Sequence, residues 1–545
     1  MNIGKTFIAV AALLTIAGCV GPSASTSGSG GGVPFIPGTL RIADIEEPDT
    51  LNPYIATVVT ALDMSALWGE YFFNVDDHDR FVPEVALTVP TLANGGISPD
   101  GLTITYHMRH GISWQDGQPL TSHDVVFTWH AIMNPKNNVQ VTTGYDQIAS
   151  IDTPDNYTVI VHMRAKFSPI IAYFMGTEGG GPILPAHILE NQPNMNNVPW
   201  DAKPIGAGPF QVVEWVHGDH VTLEANPHYW RGAPKLHQIV YKWIGSNTTI
   251  VTELRTGEAD AWFRADPSLY PQLDDMAGHD TVLTPYSIFG HIDFNLRDPL
   301  LQDLQLRRAI ALGIDRHLLI HNATHDVFLP TNSDQPAFSW AYDRDLAPPT
   351  YDPTQAAAIL DADGWKTGPD GIRVKNGQRL SIQLAYVSGQ VIGPAVGNIV
   401  QQELKAVGVE IVQKTYPSSI FFAAYGNGGI VNTGKYQLAY YGWSNGVDPD
   451  DSSLYLSTNM PPVGQDCIFW KDPIVDAAEY GQLSTFDVDQ RKHDFSIIQR
   501  QIIDQVPTII LFAEQRIDTY NDHFKNYFAS PAQTAAWNSW QWSMQ

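Results

Sequence analysis

The sequence predicts an α/β protein built from more than one packed unit. One reason is length, since 545 residues exceed the roughly 250–300 residues over which a single core usually grows. Another is composition: 43% hydrophobic and 16% charged residues, with 44 Gly and 38 Pro, describe an ordinary globular chain. The third is a helix-to-strand plan that recurs along the chain, as in mixed α/β folds.

The elements follow in order. In "LTITYHMRHGISW", Ile104, Tyr106 and Met108 alternate as on a half-buried strand. "QDGQPL" turns the chain, and Thr121 with Asp124 forms a capping-box pattern. The helix it opens carries Val125, Val126, Trp129, Ile132 and Met133 on one face. "NPHYWRGAPKL" is a turn-rich crossing that Tyr229, Trp230 and Pro234 can bury, and Gly257 ends a helix in "LRTGEAD". "DLQLRRAIALGID" reads as an amphipathic helix with Leu306, Ile310 and Ile314 inward, and Arg307, Arg308 and Asp315 in structural ion pairs. "GNIVQQELKAVGVEIVQKTY" runs helix, Gly408 stop, strand, and "FSIIQRQIIDQVPTIILF" repeats that plan around Pro507.

The formal charge of −26 disfavours sequence-independent attraction to nucleic acid or anionic lipid. The N-terminus carries a processing signal: Lys5 precedes the short apolar stretch "TFIAVAALLTIAG", too short to span a bilayer comfortably. Its end, "IAGC", resembles the lipobox of secreted bacterial lipoproteins, which implies residues 1–19 as signal peptide and Cys19 as the lipidated anchor. The Ser/Gly-rich residues 20–37 then form a flexible tether. Cys467 is the one other cysteine, so no intramolecular disulfide is open to an acylated chain.

The zinc-protease and redox signatures H-E-x-x-H and C-x-x-C are absent. "GIVNTGKY" has Tyr436 where a phosphate loop needs Ser or Thr, and "GAGPFQ" lacks the third glycine of a dinucleotide loop. The 18 histidines are scattered. "DIEEPD" and "DPDD" carry oxygen donors of the kind calcium takes, but solvated loops and turn caps explain them more simply. No cofactor and no metal are expected.

The order of blocks is the specific signal. "DGLTITYHMRHGISWQDGQPLTSHDVVFTWHAIMNP", "GAGPFQVVEWVHGDHVTLEANPHYWRGAPKLHQIVY", "IDFNLRDPLLQDLQLRRAIALGIDR", "YDPTQAAAILDADGW" and "YYGWSNGVDPDDSSLYLS" resemble, in sequence, the solute-binding family 5 lipoproteins. These serve dipeptide, oligopeptide and nickel ABC importers, and the resemblance covers essentially residues 38–545. It implies a two-lobed type II periplasmic binding fold (cluster C) with an inserted subdomain. Lobe one would comprise residues 38–75, 205–284 and 513–545, with the insert at 76–204 and lobe two at 285–512. Ligand would lie between lobes that close on it.

The same resemblance implies a monomeric extracytoplasmic receptor that captures peptides and delivers them to membrane permease subunits. An oligosaccharide or a nickel complex is the alternative cargo, and a secreted hydrolase with a carboxylate pair is the reading from another class. In peptide-binding members the tryptophan loop lines the cleft and an aspartate shortly after it pairs with the ligand's α-ammonium. Trp443 matches the tryptophan, and the acidic position falls on Asn445 or Gly446, neither of which is charged. Asp448 or an acid of "DIEEPD" would have to substitute. Thr57 and Val59 follow "TLNPY", Tyr145 lies where the insert approaches, and Tyr440, Tyr441 and Phe421 are further wall candidates. Alternation allows only one of the two tyrosines to face ligand.

Overall fold

The structure is a computed structural model and describes residues 33–176, 180–348, 350–531 and 535–545. Cys19 and most of the expected tether lie outside the described residues. Ten strands make the principal sheet: β1 (Thr39–Asp44), β2 (Phe210–Val216), β3 (His220–Ala225), β4 (Gln238–Trp243), β5 (Ala261–Trp262), β6 (His279–Phe294), β7 (Ser381–Val387), β8 (Glu410–Tyr416), β9 (Leu438–Ser444) and β10 (Thr508–Asn521). They run in the order β8-β7-β9-β6-β10-β5-β1-β4-β3-β2, with the short strand Leu329–Pro330 added to β10.

Two half-sheets are thus joined by two long antiparallel strands, β6 and β10. Their outer parts pair from His279↔Asn521 to Pro285↔Gln515 beside β5, and their inner parts from Phe289↔Ala513 to Asp293↔Thr508 beside β9. Between them the register breaks: three residues of β6, Tyr286 to Ile288, face the single residue Glu514. Such a bulge bends and twists the ribbon.

Residues between β1 and β2 build a separate antiparallel sheet of Thr103–His107, Thr158–Met163 and Ile148–Asp155. Helix Ser122–Met133 lies on it, opened by the anticipated capping box: Thr121 N donates to Asp124 Oδ2 at 2.8 Å. Val125 and Ile132 are buried as expected, but Met133 is exposed because the helix ends there and its last turn faces solvent. The hairpin Phe73–Val75 with Phe81–Pro83 straddles the anticipated 75/76 junction.

Two glycines fulfil backbone roles. Gly257 (φ +74°) closes helix Asn247–Thr256, and a Cβ on Gly206 would collide with the Trp68 carbonyl. Trp230 is held between Arg109 and Arg231, at 4.3 and 4.5 Å, while its indole donates to Glu70 Oε1. The anticipated ion pairs of Arg307 and Arg308 are not what forms. Arg307 donates to the carbonyls of Leu301, Gln302, Gln505 and Val506, and Arg308 to that of Asp504, so both tie helix ends together. Asp315 instead caps the helix Arg316–Thr324. Among the described residues no helix is long and apolar enough to cross a membrane.

Candidate functional site

β9 brings the aromatic residues of "YYGWSNG" to the bulge. It pairs with β6 through Tyr440↔Ile292, Tyr441↔His291, Trp443↔Phe289 and Ser444↔Ile288. Strand alternation then separates the two tyrosines. Tyr441 shares a face with Trp443 and packs edge-on to Phe421 (6.2 Å between centroids) and to His291 (4.3 Å). Its hydroxyl donates to the Asp293 carboxylate in a very short bond, and burial followed by the Asp293 charge holds the phenol well above its ordinary range. Tyr440 points to the opposite face, into the large core with Tyr386 and Ile292.

Trp443 is partly buried at the end of this ladder, packed against two apolar clusters, one around Phe289 and Tyr455 and one around Tyr441 and Phe421. The chain then leaves the strand. Asn445 N donates to the Ser287 carbonyl, opposite the bulge, at 2.9 Å. The Asn445 side chain turns inward, 2% exposed, with Nδ2 donating to the Asp334 carbonyl at 2.9 Å. Gly446 is partly exposed, and Val447 is buried against Val75 and Ala172. Those two residues belong to the hairpin and the short helix that precede β2, so the loop bridges to the other half of the molecule. A second bridge lies nearby: Ser168 N and Oγ donate to the carbonyls of Leu483 and Gln482.

The other sequence candidates lie at different depths in the fold. Tyr145 is fully buried in the core of the inserted unit, where its hydroxyl donates to the Tyr173 carbonyl and accepts from Met175 N. Phe421 is likewise fully buried, and Tyr440 belongs to the core beneath the sheet. Asn445 braces the loop through Nδ2, which donates to the Asp334 carbonyl, while its buried Oδ1 has no hydrogen-bond partner among the described residues. Thr57 and Val59 are exposed at the start of helix Val59–Trp68, with Thr57 N and Oγ1 bonded to Asp49.

Of the acids named as substitutes for the missing aspartate, Glu46 is exposed and the other four are engaged. Asp448 makes a two-pronged ion pair with Arg491, at 2.7 and 2.6 Å. Asp44 accepts from Ile45 N and Tyr241, Glu47 from Trp215 and His217, and Asp49 from Thr57.

Sequence reasoning missed Glu514. It stands opposite the bulge on β10, and its Oε1 is 3.9 Å from where a Cβ on Gly442 would lie. Burial pushes its carboxyl up to about 7. Alternation along "FAEQRID" gives no hint of this, because the bulge that isolates Glu514 is created by a distant strand. At the outer side of the same crossing, Arg264 pairs with Asp63 and donates its backbone N–H to Asp518, which also accepts from Arg516 and Tyr527. Burial nevertheless pushes Asp63 up to about 6.

Two half-sheets hinged on two strands, with an aromatic loop bridging them, define a protein that holds a small solute between its lobes. The family comparison agrees. Residues 88–464 match the model of the bacterial extracellular solute-binding proteins, family 5 (middle region), and the chain belongs to that family. The oligopeptide-binding protein AppA of Bacillus subtilis is 24% identical over 505 residues, 91% of this chain and 90% of AppA. The structure of AppA in complex with a nonapeptide superposes with a TM-score of 0.78 at 22% identity, over 93% of this chain and 99% of that one. NikZ of Campylobacter jejuni in complex with Ni(L-His) superposes with a TM-score of 0.79 at 24% identity, over 93% of this chain and all of that one.

Proposed function

We propose that the protein is the substrate-binding receptor of an ABC importer, capturing peptides between its lobes and handing them to the membrane permease subunits. Family membership and the likeness to AppA support this reading, and one structural observation carries it. At the crossing of β6 and β10 the ladder opens, with Trp443 on one face of β9 and Glu514 beside Gly442 toward the other, and the loop that follows bridges the halves. An extended peptide offers a backbone to that open strand end and a face to the indole.

Glu514 is the acid assigned to the ligand's α-ammonium. Neither position after Trp443 supplies a charge, Asp448 is taken by Arg491, and Glu514 has no hydrogen-bond or ion-pair partner among the described residues. A desolvated carboxylate facing an ammonium gives a charge-assisted bond roughly twice as strong as a neutral one. Trp443 and Gly446 complete the assigned wall, with Thr57 and Val59 on the facing lobe. The lobes follow the boundaries read from sequence, with residues 76–204 as the insert. Cys19 carries the lipid that anchors a monomeric receptor outside the cytoplasmic membrane.

Mass spectrometry of small molecules released from the purified, denatured protein tests this. Peptides of mixed sequence are expected. Glycans or a metal chelate would replace the peptide reading with that cargo, and turnover of an added peptide mixture would make the protein a hydrolase.

A further inference from the structure

The loop that follows Trp443 ends in a second feature. Carboxylate oxygens of Asp450, Asp451 and Glu479 all lie within 4.8 Å of one another. Asp450 and Asp451 come from "DPDD", and Glu479 comes from helix Pro473–Leu483. This is no solvated turn, since Asp451 and Glu479 are fully buried.

A third segment points into the cluster. The Asp334 carboxyl, 1% exposed, is tied to that of Asp451 through a shared donor, Gln335 Nε2. Beside it, Gln335 Nε2 donates to Asp334 Oδ2, Asp451 Oδ2 and the Pro449 carbonyl. From the other side, Gln482 Nε2 donates to Asp450 Oδ1 and Glu479 Oε2. After these bonds, Asp334 Oδ1, Gln335 Oε1, Asp451 Oδ1 and Glu479 Oε1 have no hydrogen-bond partner among the described residues.

The charges do not balance. Four carboxyls share the pocket against one cation, Arg491, whose charge reaches Asp450 and Asp451 while its N–H groups go to Asp448 and Gln482 Oε1. Tyr455, which also borders the acids, supplies no positive charge. Burial, reinforced by mutual repulsion, pushes Asp451 and Glu479 well above the ordinary carboxylate range. Buried carboxylates without counter-charge are costly, so either protons or a cation must fill the pocket.

We propose that Asp334, Asp450, Asp451 and Glu479, with the Gln335 amide oxygen, bind one calcium ion. All donors are oxygen, the set that hard cations take, with no imidazole or thiolate to favour zinc or copper. Oxygens on opposite sides of a calcium ion stand about 4.8 Å apart, twice the roughly 2.4 Å Ca–O distance, and the three carboxylates bring oxygens within that limit of one another. Magnesium would need a tighter octahedron. The ion would lock the Trp443 loop to helix Pro473–Leu483, whose C-terminal carbonyls receive Ser168 from the other half.

The test uses the full soluble body, stripped with EDTA and dialysed at pH 7.5. Equilibrium dialysis with radioactive calcium should find one ion per chain, and 1 mM CaCl2 should raise the melting temperature where 1 mM MgCl2 does so less. Glu479→Gln and Asp451→Asn should each weaken calcium uptake by roughly 10-fold or more. Either variant, once stripped, should melt no lower than the stripped wild type, because it removes a repelling charge. Absence of calcium uptake by the folded wild type would overturn the proposal and leave shared protons in the pocket. Uptake that survives both substitutions would overturn it as well, by placing the ion elsewhere. Should one variant fail to fold, the other and the wild-type stoichiometry still decide.

Discussion

Val447→Ala separates lobe closure from ordinary packing. Val447 is 5% exposed, and its apolar partners, Val75 and Ala172, lie in the other half of the molecule and form a cluster apart from the main cores. Truncation to Ala removes two methyl groups, worth about 1.5 kcal/mol at roughly 0.8 kcal/mol per buried carbon. If the halves meet only when ligand is held, the ligand-free protein never makes this contact and loses almost nothing. The whole loss then enters the binding equilibrium, because a ligand can stabilise the closed form only through what that form has and the open one lacks. At about 1.4 kcal/mol per decade, the Kd for a peptide identified in the wild-type protein should rise roughly tenfold. Isothermal titration gives the Kd, and calorimetric melting of the ligand-free protein gives the control. A melting temperature lowered by several degrees with an unchanged Kd would refute the reasoning, since Val447 would then be packed permanently and the halves would not separate.

Trp443→Ala should weaken peptide binding by about 2 kcal/mol, as for an aromatic hot spot. Because the ring is only partly buried between its two clusters, denaturant unfolding of the ligand-free variant should show a loss below the roughly 3–5 kcal/mol of a fully buried aromatic. Glu514 holds its proton up to about pH 7 against an ordinary 4.5, so its contribution to stability is present below pH 4.5 and lost as pH rises through 7. Glu514→Gln should therefore match the wild type at pH 4.5 and melt higher at pH 8, while losing the wild type's preference for free-amine over N-acetylated peptides, read by titration at pH 8. Cys19→Ser should move the protein from the membrane fraction to the soluble extracytoplasmic pool with unchanged melting, as fractionation and calorimetry would show.

What could be read from the chain in advance was local. The capping box at Thr121, the glycine stop at Gly257 and the helix-to-strand runs around Gly408 and Pro507 depend on residues a few positions apart, and all took the form that their spacing dictates. Met133 and Arg307 show the limit. Met133 lies on the predicted apolar stripe but at a helix end with nothing above it. Arg307 had carboxylates within reach in sequence, yet in the fold it meets helix-end carbonyls about two hundred positions away.

The candidate site fails to be legible for the same reason, in sharper form. Tyr145, Phe421 and Asn445 look like wall residues because aromatic and amide side chains beside turns often are. The partners the fold gives them, the Tyr173 carbonyl, Tyr441 and the Asp334 carbonyl, come from other parts of the chain. Asn445 is the instructive case. Its backbone N–H continues the ladder to Ser287, which fixes the direction of its side chain as inward, toward Asp334, whatever residue stands there. A carboxylate at this position would meet the Asp334 carbonyl in a buried space already bordered by Asp334 and Asp451, and repulsion would expel it or protonate it. An amide, which can donate, is what this geometry accepts. With the loop closed to a charge, an acid that meets a ligand has to come from another strand, and the bulge between β6 and β10 is where one is left without a partner.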